Sequence, residues 1–229
     1  MFLARREIET LVAEGKLIEH DRYDKRYVQQ SSYDLRLGSD IYVGGESAPN
    51  KITKEFPYLT LKPGQFAILT CYENINLQKG DLQKGEPSYM AFIALRSTFK
   101  MQGLVNISGF HVDPTHQGTL LFAVQNVGPI DILLKYLEPT FTIFFAPVQG
   151  DIGETRGDEK GVRFKPKLEG IPLHAVQNLG GGSVTISELR KEITDLRRIL
   201  FIYGPIAVAA LIALIVDIIQ HWQATPVAK

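Results

Sequence analysis

LRSTFKMQGLVNISGFHVDPTHQGTLLFAVQNVGP, residues Leu95 to Pro129, sets an Arg-Ser-Thr cluster about fifteen residues ahead of a His-Val-Asp-Pro turn and closes on Asn126-Val127-Gly128. A guanidinium followed by two hydroxyls suits a triphosphate: Arg96 supplies a charged fork, and Ser97 and Thr98 supply further donors. An aspartate beside a proline turn suits a sugar hydroxyl or a water. Around this stretch, residues 1–168 alternate short apolar runs such as SYMAFIALRST and PTFTIFFAPV with Gly, Pro and Asn signals. The Val, Ile, Phe and Tyr enrichment and the period-two stretches predict many short strands in a sandwich or barrel. Ahead of them, MFLARREIETLVAEG reads as an amphipathic helix with Ile8, Leu11 and Val12 on one face and Gly15 ending it.

Composition narrows the possibilities. The 229 residues carry 25 basic and 25 acidic side chains, so no global field recruits nucleic acid. The one cysteine, Cys71, excludes an internal disulfide framework and fits a reducing compartment as a small buried hydrophobe. The C-terminal part is different in kind. Ile199 to Val216 is a run without a charge, and with Asp217-Ile218-Ile219 it makes roughly 31 Å of helix, enough to span a hydrocarbon core. Arg190, Lys191, Arg197 and Arg198 precede it, whereas only His221 and Lys229 follow. The positive-inside rule then predicts a tail anchor in the cell (inner) membrane through residues 199–220, with the N-terminal domain cytoplasmic and residues 221–229 as the far-side tail.

Between domain and span, residues 169–184 read as a Gly-rich linker. Thr185 and Glu188 match a capping box opening a helix over residues 185–198. Ile186, Leu189, Ile193, Leu196 and Leu200 follow at heptad spacing, which fits either a short coiled-coil stalk or one amphipathic helix resting on a surface. The polar stretch 150–161, GDIGETRGDEKG, reads as a solvated loop.

Residues 30–38, QSSYDLRLG, read by themselves as an alternating strand whose Asp34 and Arg36 share a face and are placed to pair across it. With Arg96-Ser97-Thr98, Gly103-Leu104, Val112-Asp113-Pro114, Gly118 and Asn126-x-Gly128 they form an ordered series. That series resembles the motifs of the dCTP deaminase and dUTPase superfamily over residues 1 to about 148: S-x-D-L-R-L-G, R-S-S, I-D-P-x-x-x-G and N-x-G. The resemblance implies a mainly β, dUTPase-like (β-clip) distorted barrel with an N-terminal helix, here followed by the short stalk and one transmembrane helix. It implies homotrimers with sites between subunits and Mg²⁺ arriving with the triphosphate. It also implies roles. Asp113 contacts deoxyribose and activates a water, and Asp34 supports the chemistry. Arg96, Ser97, Thr98, His111, His116 and Gln125 line the nucleotide, with His116 where an aromatic residue stacks on the sugar in relatives. No metal ligands belonging to the protein itself are expected.

Three positions depart from the deaminase pattern. Ala123 aligns with the deaminases' glutamate, the general acid/base that shuttles protons during loss of ammonia. Met101 aligns with their second arginine after R-S-S, and His111 with a basic residue two before the Asp. The C-terminal lid has no counterpart in RFKPKLEGIPLHA. Classical deamination therefore conflicts with the sequence, whereas diphosphohydrolysis makes a milder demand: a positioned water near an Asp, phosphate donors and the Mg²⁺ carried in on the triphosphate. Three functions stay open: a membrane-tethered hydrolase of pyrimidine deoxynucleoside triphosphates, a non-catalytic nucleotide sensor with a membrane output, and a trimeric scaffold.

Overall fold

The computed structural model describes residues 1–153, 170–172, 176 and 186–224. They fall into two compact units, Met1–Ser183 and Val184–Lys229. The first opens with helix α1 (Arg5–Ala13), whose Ile8 and Val12 are buried. Glu7 reaches back to accept from the Ala4 amide at 2.7 Å, tying down one of the unpaired amides at the helix start. Gly15, at φ +77°, turns the chain out of the helix, a conformation open to glycine at little cost.

Among the described residues eleven strands follow: β1 (Leu17–Ile18), β2 (Tyr33–Val43), β3 (Asn50–Lys51), β4 (Tyr58–Leu61), β5 (Phe66–Asn76), β6 (Ser88–Leu95), β7 (Leu104–Asn106), β8 (His111–Val112), β9 (Gln117–Asn126), β10 (Ile132–Lys135) and β11 (Pro139–Val148). The short helix α2 (Ser97–Met101) separates β6 from β7. Seven strands run in the order β7-β9-β5-β2-β11-β6-β8, with β1 added to β5 and β3 to β2, while β10 and β4 make a separate two-stranded ribbon.

The sheet curls on itself. Phe122 on β9 and Phe141 on β11 lie three steps apart in strand order, about 14 Å in a flat sheet. Their rings nevertheless stack at 3.6 Å. The interior so enclosed is filled by Tyr33, Leu35 and Leu37 of β2, Leu69 of β5 and Phe145 of β11, all fully buried. The expected mainly β fold with an N-terminal helix is what forms.

One detail differs from the sequence reading: Asp34 and Arg36 do not pair, and each takes a partner from a distant strand or corner. The stretches read as stalk and span share one element. One helix, α3 (Ile186–Ala224), runs through both and carries Pro205 inside it. Residues Glu192–Val216 are long and apolar enough to cross a membrane, with a mean hydropathy of 2.7 and none of that window buried. Most of the Gly-rich linker, Thr185 and residues 154–161 of the polar loop lie outside the described residues.

Candidate functional site

Strand pairing builds the candidate site across β2, β11 and β6. Thr142 of β11 stands directly opposite Asp34 on one side and Ala94 on the other. Arg96, two residues beyond Ala94, projects on the same face, since side chains repeat every second residue. Its Nη1 reaches the Asp34 carboxylate at 2.6 Å. Gln29 donates to the same carboxylate at 3.0 Å, and the Thr142 hydroxyl donates at 2.9 Å. Asp34 is buried and takes three donors, so its oxygens hold Arg96 in place. The Arg96 side chain itself remains 37 % exposed.

Helix α2 begins at once. Arg96 occupies its N-cap position without a side-chain cap, so Ser97 and Thr98 form the first helical turn. Both are exposed, and neither hydroxyl bonds to another group among the described residues. An anchored guanidinium and two unengaged hydroxyls thus share one corner. Met101, on the same helix, is exposed.

Asp113 is elsewhere. Strand β8 pairs with β6 so that Val112 faces Ala91 and His111 faces Phe92. Asp113 therefore lies beside Met90, six residues before Arg96, which is about 20 Å along a strand. Its side chain is 82 % exposed, with His111 Nε2 at 3.4 Å. His116 follows Thr115, which sits at φ +73°. Its Nε2 is enclosed and has no hydrogen-bond partner among the described residues. Burial pushes its pKa below the usual value, opposed by backbone contacts at Gly118 and Thr119 and by the Asp113 charge. Gln125 donates to the Gly64 carbonyl at 3.1 Å, beside the turn that follows β4. One chain thus gathers Asp34, Arg96, Ser97 and Thr98 at one corner and His111, Asp113 and His116 at another.

Ala123 faces Ile68 across β5 and β9. Ile68 belongs to a small apolar cluster with Tyr42 and Val176, against which Phe66, Leu121 and Ile171 pack. Among the described residues, that cluster contains no carboxylate.

The sequence did not single out Glu73. This β5 carboxylate is fully buried, accepting from the Arg36 Nε at 2.6 Å and the Arg36 amide at 2.9 Å. The Tyr33 hydroxyl adds a contact at 3.2 Å. Burial raises the Glu73 pKa, and the Arg36 charge and hydrogen bonds oppose that rise. Arg36 also lies over the rings of Tyr72 and Tyr27, at 4.6 and 4.9 Å. A charged residue in the middle of a buried strand implies a counter-charge, but nothing local names it. Among the described residues, no group of three or more His, Cys, Asp and Glu side chains is placed to hold a metal ion.

The family model described as dCTP deaminase-like matches residues 2–145. A dUMP-forming dCTP deaminase of Aquifex aeolicus is 33% identical over 143 residues, covering 58% of this chain and 74% of the relative. A dCTP deaminase of Thermococcus kodakarensis is 28% identical over 128 residues, covering 56% and 75%. Among solved structures, the 2'-deoxycytidine 5'-triphosphate deaminase of Agrobacterium tumefaciens shares the fold, with a TM-score of 0.51 at 18% identity over 65% of this chain. The match spans 49% of that solved chain, about half its length. The family model takes in α1 and every strand of the β unit up to the middle of β11, including the Arg96 and Asp113 corners, so the chain belongs to the dCTP deaminase-like family.

Proposed function

We propose that this protein is a membrane-anchored, homotrimeric binder of pyrimidine deoxynucleoside triphosphates that cleaves them as a diphosphohydrolase rather than deaminating them. The observation that carries the reading is the Arg96 corner. Asp34 fixes one nitrogen of the guanidinium at 2.6 Å, leaving the rest of the fork and the Ser97 and Thr98 hydroxyls to meet phosphate oxygens. The pyrimidine triphosphate comes from the relatives, which are named as dCTP deaminases.

A single chain does not bring this corner to Asp113, because about 20 Å of strand is longer than the reach from deoxyribose to the last phosphate. Two copies arranged around a symmetry axis would bring the Arg96 corner of one to the Asp113 turn of the next. The sheet face between the two corners supports this arrangement. Phe92 and Phe144 lie there, Phe2 packs on both rings, and Phe110 stacks on Phe92 at 6.1 Å. Phe2 and Phe110 remain exposed in one chain, and a second copy would cover them.

In this reading Asp34 positions Arg96, and Asp113 is the exposed carboxylate, beside His111, that holds the sugar or orients a water. Mg²⁺ travels on the triphosphate; Asp34 is taken up by three donors and Asp113 is a single carboxylate. His111, His116 and Gln125 keep the nucleotide-contacting roles that the resemblance implies. Deamination is disfavoured because Ala123, with Ile68 opposite and Leu121 beside it, offers no group to carry protons. The same position favours a second reading, a sensor that binds without turnover.

The test is a panel of dCTP, dUTP, dTTP and purine counterparts with the purified full chain in detergent, following binding and product together. Pyrophosphate release that stops in Asp113→Ala supports hydrolysis. Tight binding without product moves the assignment to the sensor. A melting temperature that no nucleotide raises overturns both and leaves a scaffold.

A further inference from the structure

A second polar site lies on the other side of β2 from the Arg96 corner. Both ladders of β5 lose register over one short stretch: β2–β5 between Leu37 and Ile41, and β5–β9 between Thr70 and Asn74. The sheet parts there, leaving a cavity of about 440 Å³, within the size range of small-molecule sites. Its wall includes Arg22, Asp40, Lys51, Tyr72, Asn74 and Tyr136. Thr70, Asn74 and Thr119 also line it and are themselves buried, so polar groups are held inside the sheet.

Those groups are already arranged. Thr70 donates to the Asp40 carbonyl at 2.8 Å, and Thr119 donates to Asn74 Oδ1 at 3.1 Å. Arg22 uses Nη1 alone, on the Tyr72 carbonyl at 3.0 Å and Asn74 Oδ1 at 3.3 Å. It makes no ion pair among the described residues, and its Nε and Nη2 have no acceptor there. Asn74 in turn donates to Glu19 at 2.7 Å. Lys51 stands 3.5 Å from Asp40, with its side chain 70 % exposed, so it can turn toward a ligand. The Tyr72 and Tyr136 rings meet edge to face at 6.5 Å.

An anchored guanidinium with unengaged donors and a neighbouring lysine select an oxyanion. Asp40, which accepts from Ser39 at 2.9 Å, selects a hydroxyl or amine on the same molecule. We propose that this cavity binds a small hydroxylated molecule carrying one oxyanion, independently of the Arg96 corner. Arg22 and Lys51 hold the anion, and Asp40 takes the donor.

Glycerol 3-phosphate and glycerate serve as the phosphate and carboxylate probes, titrated calorimetrically against the full chain in detergent micelles carrying Arg96→Ala. The expected result is saturable binding of one of the two, one molecule per chain, weakened at least about tenfold by Arg22→Gln and by Lys51→Glu. Lys51→Glu keeps the test open should Arg22→Gln fail to fold, because its side chain is mostly in solvent. Three results would overturn the proposal: no saturable binding of either probe, binding indifferent to Lys51→Glu, or binding present in the parent chain and lost in Arg96→Ala. Triphosphate binding that disappears in Arg96→Ala but survives Lys51→Glu separates this site from the nucleotide reading.

Discussion

Glu73 shows how much one buried charge can depend on one neighbour. Among the described residues Arg36 supplies its ion-pair partner, through Nε, and adds its backbone amide as a second donor. Arg36→Met leaves the carboxylate unpaired inside the sheet and should cost about 3–5 kcal/mol in urea unfolding. The double change Arg36→Met, Glu73→Leu should recover most of that loss, because two apolar side chains replace the pair and its desolvation. His116 gives a pH effect of definite sign. Burial holds its folded pKa below 6.5, so below that pH the unfolded chain binds more protons than the folded one. The urea midpoint should fall as pH drops from 6.5 through the folded value, and His116→Phe should flatten the decline. Alternation in YDLRLG correctly put Asp34 and Arg36 on one face. Their partners were not legible, because Arg96 lies 62 positions from Asp34 and Glu73 lies 37 from Arg36. Pairing at that range depends on register, which no local pattern encodes.

Strands and turns explain motifs that the sequence displays without their reason. Gly103 sits at φ +95°, and a Cβ there would come within 2.5 Å of the Gly128 Cα. A Cβ on Gly128 would meet the Gln102 carbonyl at 2.3 Å. The Gly103-Leu104 step and the Asn126-x-Gly128 step are therefore one backbone-to-backbone contact, with Val127 donating to the Gly103 carbonyl at 2.9 Å. Asn126 completes it by donating to the Leu61 and Ile130 carbonyls and accepting from the Gly128 amide. Gly103→Ala should cost roughly 1–3 kcal/mol from the conformation alone, with the clash adding to it, and a lowered melting temperature checks this. The helix signals in α1 were readable because its apolar face repeats locally. The parting of β5 from both neighbours was not, since a bulge depends on two strands at once.

At the scale of the whole molecule, the proposed arrangement makes a prediction no single subunit can meet. Arg96→Ala and Asp113→Ala chains, each defective in triphosphate binding, should regain about a quarter of the intact sites when unfolded together and reassembled at equal ratio. Separate refolding of each should recover none. A monomer in detergent would end the trimer reading. Residues 1–183 without α3 should partition to the soluble fraction, whereas the full chain should stay with membranes through carbonate washing. The separation of Asp113 from Arg96 also bears on amount. A pocket divided between copies exists only where copies meet, so its apparent affinity falls on dilution as well as on mutation. A membrane anchor confines the copies to a plane and raises their effective concentration. Surface density, rather than copy number in the cell, would then set how much nucleotide is held.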